Sequence, residues 1–159
     1  MSVESLPVRS RLVHEALRAA GIDGDIVVLP DAAATAALAA QALGVEVGAI
    51  ANSLVFISDG EPLLVMTSGA HRVDTAALAV RLGRGSIRRA TPEQVREATG
   101  QVIGGVAPAG HPAPLVTIVD EALAGFPEIW AAGGTPHTVF PLTFDELVHL
   151  TAGTVAKVD

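Results

Sequence analysis

The sequence predicts an α+β, or mixed α/β, fold: a single domain over residues 1–159 in which helices pack on a mixed sheet. Three observations support this prediction. The chain has 159 residues, a common size for one domain, and 50% of them are hydrophobic, which is enough for one full core. Helical and strand patterns alternate irregularly along it. One Asp-Gly turn between two apolar runs predicts a hairpin, which argues against a regular parallel fold.

The N-terminal part of the chain is predicted to contain two helices on either side of a strand. Apolar residues at helical spacing indicate a helix from Ser5 or Pro7 to about Ala20. The apolar segment 26–29 predicts a short buried strand. Thr35 is the expected N-cap of a second, alanine-rich helix, which the next glycine ends.

The middle of the chain carries the predicted hairpin and a third helix. The apolar runs 52–58 and 62–67 flank Asp59-Gly60 and predict two antiparallel strands. Asp74 is the expected N-cap of the helix that follows, which ends near Leu82.

Two capping boxes predict the helices of the second half. Thr91-Pro92-Glu93-Gln94 opens a helix to about Thr99, and Thr143-Phe144-Asp145-Glu146 opens one to about Thr151. The remaining apolar segments predict strands near Ile87 and at 115–119 and 137–140, and either a last strand or a tail at 155–158.

The charge of the chain has two aspects. A net charge of −7 argues against DNA or RNA binding through bulk electrostatics. Six of the nine arginines nevertheless fall in one window of 25 residues. Such a patch is able to contact phosphates, but the same arginines also suit solvated helix and turn positions, and both interpretations stay open. The six are Arg72, Arg81, Arg84, Arg88, Arg89 and Arg96.

The residue types exclude several kinds of site. Because the chain has no cysteine, it has no disulfide, thiolate metal site or cysteine nucleophile. The five histidines lack a metal-ligand spacing, and no metal or other cofactor is expected. No apolar run approaches the roughly 20 residues of a membrane span, and an N-terminus that mixes Glu4 with arginines resembles neither a signal peptide nor a transit peptide. We therefore expect a cytoplasmic protein that binds no membrane.

Glycine-rich loops are the stretches that least resemble ordinary packing. Segment 104–111 holds three glycines and a proline, and segments 67–72 and 133–137 are also polar or glycine-rich. If the three loops converge, their amides, hydroxyls and imidazoles suit a pocket that orients an ester and stabilises negative charge. No activated nucleophile is evident, so water or a substrate hydroxyl would attack. The alternative is that the glycines only relieve steric strain in tight connections.

Five motifs follow one another along the chain: Leu43-Gly44-Val45 with 50–56, then 67–74, 90–95, 104–112 and 131–137. In this order they resemble the YbaK family of aminoacyl-tRNA editing domains, which includes domains associated with prolyl-tRNA synthetase. The resemblance covers residues 10–155. It implies a mixed α/β domain around a barrel-like sheet that hydrolyses the ester of a mischarged tRNA, often alanyl- or cysteinyl-tRNA for proline.

The resemblance also implies site residues and partners. Backbone amides of the family's Gly-x-x-x-Pro loop, here 104–108, would hold the aminoacyl carbonyl. The partner would be the 3′ acceptor end of an aminoacyl-tRNA, with help from prolyl-tRNA synthetase or an elongation factor. The residues implied as catalytic are Asn52, Gly104, Gly105 and His137. Those implied as substrate-binding are Ser53, Thr67, Ser68, His71, Arg72, Val106, Pro108, His111, Gly133 and Gly134.

One position departs from the family pattern. Asn52 stands where a lysine is usual, and asparagine has no charge and a shorter reach. Loss of one charge-assisted contact costs about 1.5–3 kcal/mol. Three interpretations therefore stay open: a trans-acting deacylase, a relative that binds an aminoacyl-nucleotide or tRNA end without turnover, and an interaction domain whose loops only connect. The third requires that no cavity lie beside Asn52 and Gly104.

Overall fold

The structure, a computed structural model, describes residues 5–159, so Glu4 and its role in the N-terminal prediction lie outside the described part. The described residues form short helices and strands in irregular alternation. The helices are α1 (Val8–Ala19), α2 (Ala36–Leu43), α3 (Thr75–Leu82), α4 (Pro92–Thr99) and α5 (Phe144–Thr151). The strands are β1 (Val27–Val28), β2 (Ile50–Ser58), β3 (Glu61–Ser68), β4 (Ile87–Arg89), β5 (Val116–Asp120), β6 (Ile129–Ala132), β7 (Thr138–Leu142) and β8 (Thr154–Ala156).

Four of the helices begin at the N-caps that the sequence predicts. The side chains of Thr35, Asp74, Thr91 and Thr143 each accept a hydrogen bond from the backbone N–H three residues later. Both predicted capping boxes are complete, since the N3 side chain also accepts from the cap residue's own N–H. These local bonds satisfy N–H groups that a helix start otherwise leaves without partners.

The predicted hairpin is confirmed. β2 and β3 pair from Ala51 with Ser68 to Ser58 with Glu61. Asp59 and Gly60 have φ angles of 49° and 86°. Positive φ at both central residues is what a type I′ turn requires, and this turn matches the twist of the strands it joins.

The described strands join one mixed sheet, which confirms the predicted fold class. Their order is β1-β7-β6-β2-β3-β5-β8, and β4 pairs with β2 outside this path. The pairs β2–β3, β2–β4, β6–β7 and β1–β7 are antiparallel, whereas β2–β6, β3–β5 and β5–β8 are parallel. The hairpin therefore lies at the centre of the sheet. β6 and β4 pair with the outer edge of β2, and β5 pairs with the outer edge of β3.

The prediction of a buried strand at 26–29 is wrong in its burial. The strand comprises only Val27 and Val28, which are 40% and 38% exposed. β1 is the last strand of the sheet and pairs with β7 alone, and an edge strand has no second neighbour to cover it. Ile26 and Leu29, on either side, are the buried residues.

Three apolar clusters hold the helices on the sheet. The largest includes Leu17 of α1 and Phe140 of β7, and the second includes Phe56 of β2 and Leu78 of α3. The third packs α2 against the sheet and is rich in alanine, including Ala39 and Ala40. A cavity borders this third cluster.

Candidate functional site

A small cavity of about 30 Å³ lies between α2, the start of β2 and the loop after α4. We call it the β2 cavity. Its wall is mostly apolar, with a few polar groups from three separate segments. It is lined by residues 33–36 and Ala39, by residues 50–53, by Gly104 and Val106, and by residues 130–132, Thr135, Thr138 and Val139.

The β2 cavity forms where β2 changes partners along one of its edges. β6 pairs with β2 only at Ile50 and Ala51, and β4 pairs with it only from Phe56 to Ser58. Between them, residues 52–54 have no strand partner on this edge within the described part of the chain. Backbone groups on an unpaired strand edge are available to a ligand. The cavity thus lies at an interruption in the sheet.

Glycines allow the loops around the cavity to approach each other closely. Gly104 has a φ of 88°, in the left-handed region, and a Cβ built on it would lie 2.9 Å from the Cβ of Ala34. A Cβ on Gly105 would lie 2.6 Å from the carbonyl carbon of Thr135. Only glycine tolerates both approaches. Two of the three predicted loops, 104–111 and 133–137, therefore meet here.

The backbone N–H groups of the 104–106 segment differ in whether they are already bonded. The Gly105 N–H donates to the Val102 carbonyl at 2.9 Å. Gly104 and Val106 both line the cavity, and their N–H groups donate to no acceptor within residues 5–159. Backbone N–H groups without a partner are strong donors, and such donors stabilise an oxygen that develops negative charge.

The N-terminus of α2 adds to the positive potential at the cavity. Thr35, the N-cap, and Ala36, the first helical residue, both line it. The first amides of a helix and the helix dipole favour negative charge at this end. The Thr35 hydroxyl is used within the helix, because it accepts from the Leu38 N–H at 3.2 Å.

The third predicted loop belongs to a separate group of residues, the Asp120 cluster, formed by Thr67, Ser68, His71 and Asp120. Asp120 is only 1% exposed, and its Oδ2 accepts from the Ser68 N–H at 2.9 Å and lies 2.9 Å from His71 Nδ1. The Thr67 hydroxyl donates to the same oxygen at 3.4 Å, and Oδ1 accepts from the Ala122 N–H at 2.9 Å. None of these residues lines the β2 cavity.

Two other predicted histidines also lie outside the cavity. Burial lowers the pKa of His111 from its ordinary value of 6.5, although a hydrogen bond to the Ala107 carbonyl acts in the opposite direction. Because a carbonyl only accepts, His111 Nε2 carries the proton in this 2.8 Å bond, and the ring is neutral near pH 7. His137 is exposed, and its backbone makes the hydrogen bonds, with Leu29 and Thr135.

The remaining predicted residues are dispersed. Arg72 is exposed, and Pro108 shares a different hollow with His111, between residues 108–115 and α5. Gly133 and Gly134 do not line the cavity: a Cβ on the first would lie 3.0 Å from the Thr138 hydroxyl, and one on the second 3.2 Å from the backbone of Arg9 in α1. The structure thus brings four predicted residues together in the β2 cavity. They are Asn52, Ser53, Gly104 and Val106.

Sequence reasoning missed most of the apolar wall of this cavity. The alanines of 33–36 and Trp130 line it, yet alanine carries no chemical signal and a lone tryptophan is more often a packing residue. It also missed the buried Thr138 hydroxyl, which lies 2.9 Å from the Thr135 hydroxyl and 3.1 Å from that of Ser10. One sequence signal for this wall was available, the run of small residues just before the N-cap of α2.

Within residues 5–159, no set of three or more histidine, aspartate or glutamate side chains is placed to hold a metal ion. No helix there combines the length and apolar character needed to cross a membrane.

Comparison with protein families gives a match that covers most of the chain. Residues 30–150 match the family described as aminoacyl-tRNA editing domain. The chain is also 30% identical over 126 residues to the uncharacterized protein YwhH of Bacillus subtilis (strain 168), a match that covers 79% of this chain and 80% of that protein.

Two more similarities concern proline. Over 68 residues the chain is 37% identical to a proline–tRNA ligase of Nitratidesulfovibrio vulgaris (strain DP4), which is 43% of this chain but only 12% of the ligase. The crystal structure of a candidate trans-editing enzyme for prolyl tRNA synthetase superposes with a TM-score of 0.89 and 46% sequence identity, covering 98% of this chain and 99% of that one.

Proposed function

This chain belongs to the family of aminoacyl-tRNA editing domains, and from that membership we propose that it is a trans-acting deacylase, which removes alanine or cysteine from a tRNA for proline. The 46% identity to a candidate trans-editing enzyme for prolyl tRNA synthetase supports editing in trans. The similarity to proline–tRNA ligases supports a proline tRNA as the carrier. The observation that carries the proposal is the small β2 cavity that Asn52 and Gly104 share.

The size of the β2 cavity suits a small acyl side chain. A volume of about 10–15 Å³ holds one water molecule, so the cavity's volume of about 30 Å³ holds a group of one or two heavy atoms. The side chains of alanine and cysteine meet this limit, whereas the three methylenes of a proline ring exceed it. One methylene changes discrimination by about 1–3 kcal/mol. A deacylase with this cavity would therefore spare correctly charged prolyl-tRNA.

The polar groups around the cavity suit ester hydrolysis. The oxygen of a water molecule, which the neighbouring ribose hydroxyl would help to position, adds to the ester carbonyl. The C–O bond to the ribose then breaks, the ribose oxygen takes up the proton that the water loses, and the free amino acid is released. The N–H groups of Gly104 and Val106 and the start of α2 would stabilise the negative charge on the carbonyl oxygen. Asn52 would hold the ribose by hydrogen bonds. Gly105 acts indirectly in this scheme, because its lack of a side chain allows the loop to lie close to Thr135.

The charge of the chain bears on how the substrate arrives. With a net charge of −7, the protein attracts RNA weakly as a whole. We therefore include delivery of the aminoacyl-tRNA by prolyl-tRNA synthetase or an elongation factor in the proposal. Addition of either protein should then lower the KM of the deacylation without changing kcat.

The direct test is deacylation of three purified tRNAs for proline, charged with alanine, cysteine or proline. The expected result is loss of alanine, cysteine or both, with the proline ester stable over the same period. Release of neither small amino acid above the rate in buffer would contradict the proposal. Equal hydrolysis of all three esters would contradict the argument from cavity size.

One observation favours a second candidate function, binding of an aminoacyl-nucleotide or tRNA 3′ end without turnover. Asn52 lines the cavity at the position where the family resemblance implies a lysine. In a deacylase that uses Asn52, Asn52→Ala should lower kcat/KM about tenfold, the effect of one lost contact. In a protein that only binds, the wild type should be inactive and Asn52→Lys should produce deacylation. The two variants therefore separate the two functions.

A further inference from the structure

A second hollow lies at the other end of the unpaired stretch of β2. Its volume is about 40 Å³, and it shares Ser53 and Val106 with the β2 cavity. On its far side are Arg89 at the end of β4 and Ile103 in the loop just before Gly104. The two hollows therefore adjoin at Ser53 and Val106. We call the pair the groove; it follows β2 from the β6 end of the gap to the β4 end.

Arg89 is the one charged residue among those lining this second hollow. It is exposed, and its guanidinium makes no hydrogen bond or ion pair within residues 5–159. Other arginines of the same window are already occupied. Arg88 donates to the Arg89 carbonyl and to Gln94 Oε1, and Arg81 donates to two backbone carbonyls of the C-terminal segment. Arg89 is thus a free positive charge beside the site, in a chain whose net charge is negative.

Ile103 gives the groove an apolar surface next to that charge. It is 57% exposed. A flat apolar ligand would cover it. A cation beside an apolar surface matches a nucleotide, because each nucleotide carries a negative phosphate and a base with two apolar faces.

The spacing along β2 fits the same ligand. Ser53 lies at the shared middle of the groove, and Arg89 pairs with Phe56, three residues further on. At about 3.3 Å per residue this separates the two points by about 10 Å. An acyl group in the β2 cavity therefore places the attached nucleotide over Ser53 and Val106, and its phosphate near Arg89.

We propose that Arg89 binds a backbone phosphate at the 3′ end of the tRNA, with Ile103 packed against the adjoining nucleoside. This rests on the proposed function, since it takes the acyl group to occupy the β2 cavity. Arg89 then supplies the charge-assisted contact that Asn52, being neutral, does not make. Arginine holds phosphate through paired N–H donors, so one such contact contributes strongly to binding.

The test uses two substrates: alanyl-adenosine, which has no phosphate, and the alanyl ester of the dinucleotide CpA, which adds one phosphate and a cytidine. Arg89→Ala should raise KM for the dinucleotide ester about tenfold and leave alanyl-adenosine unchanged. Arg89→Lys should recover part of the loss. The matched control is Arg88→Ala, which removes the same charge one residue away on the strand, from a residue that does not line the hollow.

Each outcome decides the proposal. Equal KM changes for both substrates, equal effects of the two alanine variants, or no change at all would overturn it. If wild-type protein hydrolyses neither ester, the charged tRNAs still decide the proposed function, and binding of uncharged CpA decides the role of Arg89. The plot of log affinity against log salt concentration should then be less steep, by about 0.7, for Arg89→Ala than for the wild type. Arg88→Ala should keep the wild-type slope. An unchanged slope, or no binding by the wild type, would overturn it.

Discussion

The β2 cavity and the Asp120 cluster lie on the same hairpin but differ in how their polar groups are used. In the Asp120 cluster, three neighbours and the Ala122 N–H all bond to one buried carboxylate. At the β2 cavity the wall is largely alanine, and the N–H groups of Gly104 and Val106 have no acceptor within residues 5–159. Groups that already bond to each other stabilise a fold, whereas donors without a partner are available to a ligand.

This difference explains why residue type alone misleads about the site. Histidine, serine and threonine are the usual side chains of catalysis, and Thr67, Ser68 and His71 form a suggestive run in the sequence. Asp120 lies 49 residues from His71, so the bond that occupies the imidazole cannot be read from that run. The cavity, by contrast, depends on glycine and alanine, whose contribution is the space they leave.

The largest expected effect tests the structural side of this comparison. Asp120→Ala removes the acceptor of the buried Ser68 N–H and the nearer of the two carboxylates beside His71. We expect the free energy of unfolding to fall by about 3 kcal/mol, because a buried polar group then lacks its partner. Urea denaturation measures this, with Asp23→Ala, an exposed carboxylate, as the control.

The same variant separates structure from catalysis. If the Asp120 cluster only stabilises the fold, kcat/KM per folded molecule should stay within a factor of two for Asp120→Ala under native conditions. An equal loss of stability in the control Asp23→Ala would contradict the argument from burial. A large fall in kcat at unchanged stability would place His71 in the reaction and erase the distinction between the two regions.

A second prediction concerns the approach of the two loops at the cavity. In Gly105→Ala the new Cβ would lie 2.6–2.8 Å from backbone atoms of Thr135 and Pro136, which cannot move as a flexible side chain would. Overpacking of this kind costs about 1–3 kcal/mol. Because the loop must shift, we also expect the rate of deacylation to fall. The loss of activation free energy, measured from single-turnover rates, should exceed the loss of unfolding free energy.

Gly125→Ala is the matched control for that variant, because a Cβ at Gly125 would meet nothing within 4 Å. It should leave both stability and deacylation close to wild type. If Gly105→Ala behaves like Gly125→Ala, the close contact with Thr135 does not position the cavity, and the proposed role of the 104–106 segment fails.

The sequence was a good guide to the fold because the relevant signals are local. Thr91 and Thr143 form their capping boxes within four residues, and Asp59-Gly60 forms its turn within two. The resemblance to the editing family placed Asn52 and Gly104 in one site, and the structure finds both in the β2 cavity. What no local signal contains is the packing between distant segments. The close contact of Gly104 with Ala34 is such packing. The sequence likewise does not show that the guanidinium of Arg89, at the end of β4, has no partner within residues 5–159.

The smallest expected effect is a pH dependence that comes from outside both regions. Burial lowers the pKa of His111 in the folded protein below 6.5, its ordinary value, which we take for the unfolded chain. The unfolded state therefore binds more protons below about pH 6.5, so this histidine contributes full stability above that pH and loses it as the pH falls.

Denaturation of the wild type between pH 7.5 and 5.5 should show this decline, and His111→Gln, which does not titrate, should reduce it. An identical slope in both proteins would mean that the His111 ring is as accessible to protons in the fold as in the unfolded chain. Because His111 lies outside the β2 cavity, kcat at pH 7.5 should be unaffected by the same substitution.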